Sequence, residues 1–235
     1  MSSGTDVTPR GGVVERWSKA QADLSGLART LAADEAEEVV PACPLWTVHQ
    51  LLAHQAGVAA DVLAGRMDGA GSDEWTAAQV DERAGRPLNQ LLAEWDADAA
   101  TVVERLGSAD GLEPRLLLDL WTHDQDVRST VGRPGQRDGP TADWVREWLT
   151  GFVQAKFAGA GLDPVTLDHG DGAPPAAGGV VHVSAFEFVR SVTGRRSLHQ
   201  VRIWDWEVAD PEAYVPLVPA FAPRTTDLLD PGDPA

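Results

Sequence analysis

The sequence predicts a mainly α fold, a four-helix bundle followed by a small α/β C-terminal domain. Three features point there. Apolar residues recur three and four apart through the first 160 positions. Helix starts are marked by Ser or Thr with Glu or Gln three residues on. Beyond residue 160, Gly, Pro and Asp replace the apolar runs, and a short β-branched stretch appears.

Residues 1–12 read as a frayed tail. A first helix is predicted from Val13 to about Ala33, carried by Val13, Trp17, Ala20, Leu24, Leu27 and Leu31. Thr47 and Gln50 form a capping box that starts a second helix through Leu51, Leu52, His54, Val58, Val62 and Leu63, ended by Gly65. Trp75 to Arg83 suggests a short helix. The third long helix runs from about Pro87 to Leu106, with Leu91, Leu92, Trp95, Ala99, Val102, Val103 and Leu106 inward. The fourth spans about Glu113 to Val131, stopped by Gly132 and Pro134. A fifth covers about Ala142 to Ala158. The predicted boundary lies near 160, giving domains 1–160 and 161–235. In the second, Val180–Val183 reads as a strand, Ser184 with Glu187 starts a helix of about ten residues, and Ser197 with Gln200 starts another reaching Trp206. The proline-rich tail from Pro211 is expected to be irregular.

The formal net charge is −17. Phosphate backbones and anionic lipid surfaces attract basic footprints, so neither nucleic acid nor a membrane is an expected partner. No apolar run approaches the roughly 18 residues that span a bilayer, and the first residues lack a signal-peptide pattern. Cys43 is the single cysteine, which excludes an internal disulfide framework. Together these suggest the reducing cytoplasm.

The chemistry concentrates on the fourth helix. At about 100° per residue, Leu116, Asp119, Leu120, His123 and Val127 share one stripe, with Gln125 and Arg128 opposite. A carboxylate and an imidazole one turn apart therefore stand on an apolar face. His54, between Leu51 and Val58, faces inward on its own helix. A buried carboxylate needs compensation. Two readings remain open on these residues alone: a hydrogen-bonded polar cluster, or three ligands converging on one cation and leaving a coordination position free.

The segment Cys43-Pro44-Leu45-Trp46-Thr47-Val48 with Leu51-Leu52-Ala53-His54 resembles the Cys-Pro-Gly-Trp-Thr-Val…Leu-Leu-x-His segment of the mycothiol-dependent maleylpyruvate isomerase family. Asp119-Leu-Trp-Thr-His123-Asp-Gln-Asp126-Val-Arg128, followed by Gly132-Arg-Pro-Gly135, is similar to that family's second metal motif. Ser184 to Arg190, then Gly194 to Ser197 and Gln200, resembles its C-terminal domain. The resemblance implies a DinB-like bundle with a sterol-carrier-like domain behind it. It implies one divalent metal, zinc in most members, on His54, Asp119 and His123, and mycothiol as a low-molecular-weight thiol cosubstrate for a small-molecule substrate. Two departures stand out: Asp119 replaces the Glu of the isomerase proper, and little strand-forming sequence lies between Pro164 and Gly179.

Asp126, three residues after His123, is a candidate second-layer acceptor orienting that ligand, or else a solvated carboxylate. Asp124 is expected to be exposed. Arg190, Arg195 and Arg196 are candidates for holding a substrate carboxylate or sugar hydroxyls, with internal salt bridges as the alternative. Trp121 is a core residue or a cavity-lining one. Cys43, without an evident His partner, reads as a packed, inert thiol. The functional expectation is a metal-dependent thiol transferase or isomerase. A metal-dependent hydrolase and a non-catalytic regulatory protein are the alternatives, and a monomer or homodimer is expected.

Overall fold

The computed structural model describes residues 12–106 and 113–232. The chain divides into two compact units, one ending at Gln136 and one beginning at Arg137. The first is built from α1 (Val13–Ala28), α2 (Ala33–Ala36), α3 (Val48–Ala64), α4 (Asp73–Asp81), α5 (Leu88–Leu106) and α6 (Pro114–Thr130). Four are long. α1 and α3 each pack against both α5 and α6, so α1 and α3 are one diagonal of a four-helix bundle and α5 and α6 the other. Trp17, Leu24, Leu51, Leu52, Leu91, Leu92, Trp95, Val102, Leu117 and Leu120 fill the centre, none more than 2% exposed. Burial of such side chains is worth about 1.5–3 kcal/mol each and holds the bundle together.

Local signals set the helix ends. The Thr47 hydroxyl accepts the Gln50 N–H while the Gln50 side chain accepts the Thr47 N–H, which fixes the first turn of α3. Gly65 closes that helix with φ +69°, a conformation that favours glycine. α1 stops five residues short of the expected Ala33. Thr30 turns its hydroxyl back to the Leu27 carbonyl, and the Glu35 carboxylate takes the Ala32 N–H to begin α2. Val103, expected inward, is 36% exposed, since its neighbour Val102 already occupies the core stripe.

The second unit holds α7 (Pro140–Gly159), β1 (Thr166–Asp168), β2 (Val180–His182), α8 (Ala185–Val192), α9 (Leu198–Arg202), β3 (Asp205–Glu207), α10 (Pro211–Tyr214) and a 3₁₀ turn, Val215–Leu217. The division falls earlier than the boundary expected near 160, because α7 packs on α8 and the 3₁₀ turn. Phe157 of α7 meets Tyr214 edge to face at 4.9 Å. The sheet has order β1-β2-β3, parallel then antiparallel. β1 lies in the stretch judged poor in strand, and it has only three residues. α9 ends at Arg202 rather than reaching Trp206, which joins β3 and gives its indole N–H to the Val201 carbonyl. The tail from Pro211 is more regular than expected, opening with one helical turn and the 3₁₀ turn. Among the described residues no helix is long and apolar enough to cross a membrane.

Candidate metal centre

α3 and α6 pack side by side, and this brings His54, Asp119 and His123 together. His54 is 1% exposed and His123 is 8% exposed. The Asp119 side chain keeps a third of its surface open, so the cluster is closed behind and open at the carboxylate. His54 Nε2 lies 3.5 Å from Asp119 Oδ2, and His123 Nε2 lies 3.4 Å from Asp119 Oδ1. These separations exceed the roughly 2.7–3.2 Å of an N–H···O bond. They match the edge of a tetrahedron, about 3.3 Å for ligand bonds of about 2.0–2.1 Å. One donor atom from each residue lies within 4.8 Å of the others. The two imidazole rings stand 5.2 Å apart at 84°.

Each of the three side chains is held from behind. His54 Nδ1 is 2.7 Å from Gln79 Oε1, and His123 Nδ1 is 3.1 Å from Asp126 Oδ2. Both rings thus direct Nδ1 to an acceptor and Nε2 to the shared centre, the arrangement by which outer groups orient metal-binding histidines. Gln55 donates to Asp119 Oδ2 at 2.7 Å. Trp46 lies over both imidazoles, with centroids 5.2 Å from His54 and 6.4 Å from His123. Trp75 meets His54 edge-on at 6.2 Å. Burial disfavours charge on Asp119 and His123. The His123 and His54 rings nevertheless hold the Asp119 carboxyl well below the usual carboxylate range, and the Asp119 charge holds His123 well above the usual imidazole range. A donor set of two imidazole nitrogens and one carboxylate, backed this way, fits a divalent cation of the zinc type.

Asp126 has no exposed surface and accepts from His123, so the solvated alternative does not apply. Cys43 does have a histidine partner. Its Sγ lies 3.7 Å from Asp126 Oδ2, and it contributes a hydrogen bond to His123. Cys43, His123 and Asp126 form a second group with metal-like spacing, sharing His123. His182, Asp205 and Glu207 form a third in the other unit, its two carboxylates exposed. Only the first group aims two imidazole Nε2 atoms at one point. Asp124, expected on the surface, is 3% exposed and takes the Arg128 guanidinium with both oxygens at 2.8 and 2.9 Å. Burial pushes its carboxyl up to about 6 against the pull of Arg128. Trp121 is 2% exposed and gives its indole N–H to the Gln136 carbonyl, so it is a core residue.

Arg190 and Arg196 take the internal alternative. Arg190 and Arg196 are fully buried. Arg190 grips Asp230 with Nε at 2.9 Å and Nη2 at 3.1 Å, and Arg196 bonds Glu187 and reaches Asp230 at 3.0 Å. Arg195 donates to the Thr193 carbonyl at 2.7 Å. Such charge-assisted bonds bind the C-terminal segment to α8. Sequence reasoning missed Gln55, Asp61 and Gln79. Asp61 had a signal, since it lies seven residues from His54 on the same helical stripe. Gln79 had none, because it reaches His54 only through the packing of α4 on α3.

No curated protein and no solved structure matches the chain. Residues 17–133, about half of it, match the family model described as the mycothiol maleylpyruvate isomerase N-terminal domain. That match contains His54, Asp119 and His123 with all the groups that orient them, and through this helical unit the chain belongs to the mycothiol maleylpyruvate isomerase N-terminal domain family.

Proposed function

We propose that this protein is a cytoplasmic, zinc-dependent transferase or isomerase that joins mycothiol to a small electrophilic molecule, with the metal on His54, Asp119 and His123. The observation that carries the reading is the approach of two Nε2 atoms to one carboxylate at 3.4–3.5 Å, open on the carboxylate side. Three protein donors leave a tetrahedral ion one free position. A bound zinc would supply Lewis-acid charge that keeps a coordinated thiol deprotonated near neutral pH.

The chain's own groups perform the remaining tasks. Gln79 and Asp126 keep Nε2 of each histidine available. Gln55 fixes the Asp119 carboxylate, which brings the one ligand charge. Trp46 and Trp75 wall the histidines, lowering the local dielectric so that charge interactions there act more strongly. The thiol comes from the family, whose N-terminal domain is named for mycothiol. A hydrolase would ask Asp126 to serve as base, and that carboxylate is fully buried against His123 Nδ1.

The test is elemental analysis of the purified protein, then calorimetry with mycothiol. The expected outcome is one metal per chain, mycothiol binding only in the metal-loaded form, and loss of both in His123→Ala. A wild-type protein that takes up no divalent metal overturns the reading.

A further inference from the structure

Behind His54 runs a buried chain of polar groups. His54 Nδ1 meets Gln79 Oε1 at 2.7 Å, Gln79 Nε2 meets Asp61 Oδ2 at 2.6 Å, and Asp61 Oδ1 takes Arg66 Nε at 2.8 Å. His54, Gln79 and Asp61 are 1%, 2% and 6% exposed, so water does not compete. The polarity follows from donor chemistry alone. A carboxylate only accepts, so the Gln79 amide must turn its NH₂ to Asp61 and its carbonyl to His54. A carbonyl also only accepts, so His54 Nδ1 carries a proton, and in the neutral ring the Nε2 lone pair is left toward Asp119.

The relay leaves α3 at His54, crosses to α4 and returns to α3 at Asp61. It needs α4 against the α3 backbone, and Gly57 provides that approach. A Cβ at residue 57 would stand 2.4 Å from Gln79 Cβ, 2.6 Å from Gln79 Cγ and 3.1 Å from Arg83 Nη1. Glycine is a poor residue inside a helix, and residue 57 has no positive φ that would call for it. Its place is explained by the neighbour. Trp75, also on α4, covers the His54 ring and gives its indole N–H to the Arg66 carbonyl.

We propose that α4 sets the tautomer of His54, and with it the metal affinity of the centre, through positioning residues Gln79 and Asp61 admitted by Gly57. The affinity half of the inference rests on the metal-centre reading above, while the tautomer is readable without metal.

Asp61→Asn offers Gln79 a donor as well as an acceptor. The Gln79 amide is then free to turn over, donate to Nδ1 and move the imidazole proton to Nε2, the ligand nitrogen. Asp61→Asn combined with Gln79→Glu reverses the roles: the new carboxylate at 79 accepts from both neighbours and returns the proton to Nδ1, at unchanged net charge. Two readouts are taken on the full chain: the His54 tautomer by nitrogen NMR of the metal-free protein at alkaline pH, and zinc affinity by competition with a chromophoric chelator. Expected are an Nδ1–H ring in the wild type, an Nε2–H population with roughly 10- to 100-fold weaker zinc binding in Asp61→Asn, and recovery of both in the double exchange. Gly57→Ala is expected to weaken zinc binding with no polar group removed. An Nε2–H ring in the wild type overturns the proposal without any variant, as does an Asp61→Asn protein unchanged in both readouts, or a double exchange that recovers neither. If tautomers follow the relay but the wild type takes up no zinc, the relay stands and the metal centre falls. If zinc binds and Asp61→Asn changes nothing, the reverse holds.

Discussion

Asp168 is one carboxylate whose surroundings fix its charge. Its Oδ1 accepts the backbone N–H groups of Gly170, Asp171 and Gly172, and its Oδ2 faces His182 Nδ1 at 2.9 Å. The Gly170 N–H first, with the other donors, lowers its carboxyl to about 2. A carboxylate with a depressed folded value adds stability that is complete above its unfolded value, near 3.8, and disappears as pH falls through about 2. Asp168→Asn is therefore expected to destabilise the second unit at neutral pH, with the gap from wild type narrowing between about pH 4 and pH 2. Thermal melts at several pH values measure this, and a gap independent of pH would refute it. At the proposed metal centre, Gln55→Leu removes the donor that fixes Asp119. Zinc affinity should drop about tenfold or more with the three ligands intact, as read by chelator competition.

Among the elements, α3 carries the most function per residue. It supplies His54, Gln55, Gly57 and Asp61, and it packs on α4, α5 and α6. Its start depends on the Thr47–Gln50 exchange. Thr47→Ala should cost about 1 kcal/mol, seen as a lower denaturant midpoint at unchanged slope. Zinc affinity should hold, because the bundle rather than the cap positions His54. α6 is buried on nearly every side from Leu116 to Val127, beyond the amphipathic stripe its sequence suggests. Polar Gln125 and Asp124 are buried there because Arg128 and the Gly135 carbonyl supply their partners. Hydropathy registers a residue's own polarity and not the partner that satisfies it.

For the whole molecule, the proposed metal would couple its binding to folding. A ligand that binds only the folded state stabilises it by about 2.7 kcal/mol at a hundred times its dissociation constant. Chelation is expected to lower the melting temperature of the zinc-loaded protein by several degrees, and His123→Ala should melt at the same temperature with or without chelator. A chelator effect that survives in His123→Ala would place the stabilising metal elsewhere, at His182, Asp205 and Glu207 for instance. The net charge of −17 is a property of the molecule as a whole, and its repulsion of a phosphate backbone weakens as salt screens it.

Along the chain alone, the long helices of the bundle, the caps at Thr47, Ser184 and Ser197 and the inward faces of His54 and His123 were legible, because periodicity and capping are local and carry over to any packing. The sequence also carried the motifs that tie residues 17–133 to their family. Long-range packing settled that α7 belongs with the second unit, that Arg190 and Arg196 are occupied by Asp230 and Glu187, and that Cys43 faces Asp126. It alone decided that Gln79 stands behind His54. Those contacts join segments between 9 and 83 residues apart, and such pairings depend on how helices and loops dock rather than on any pattern along the chain.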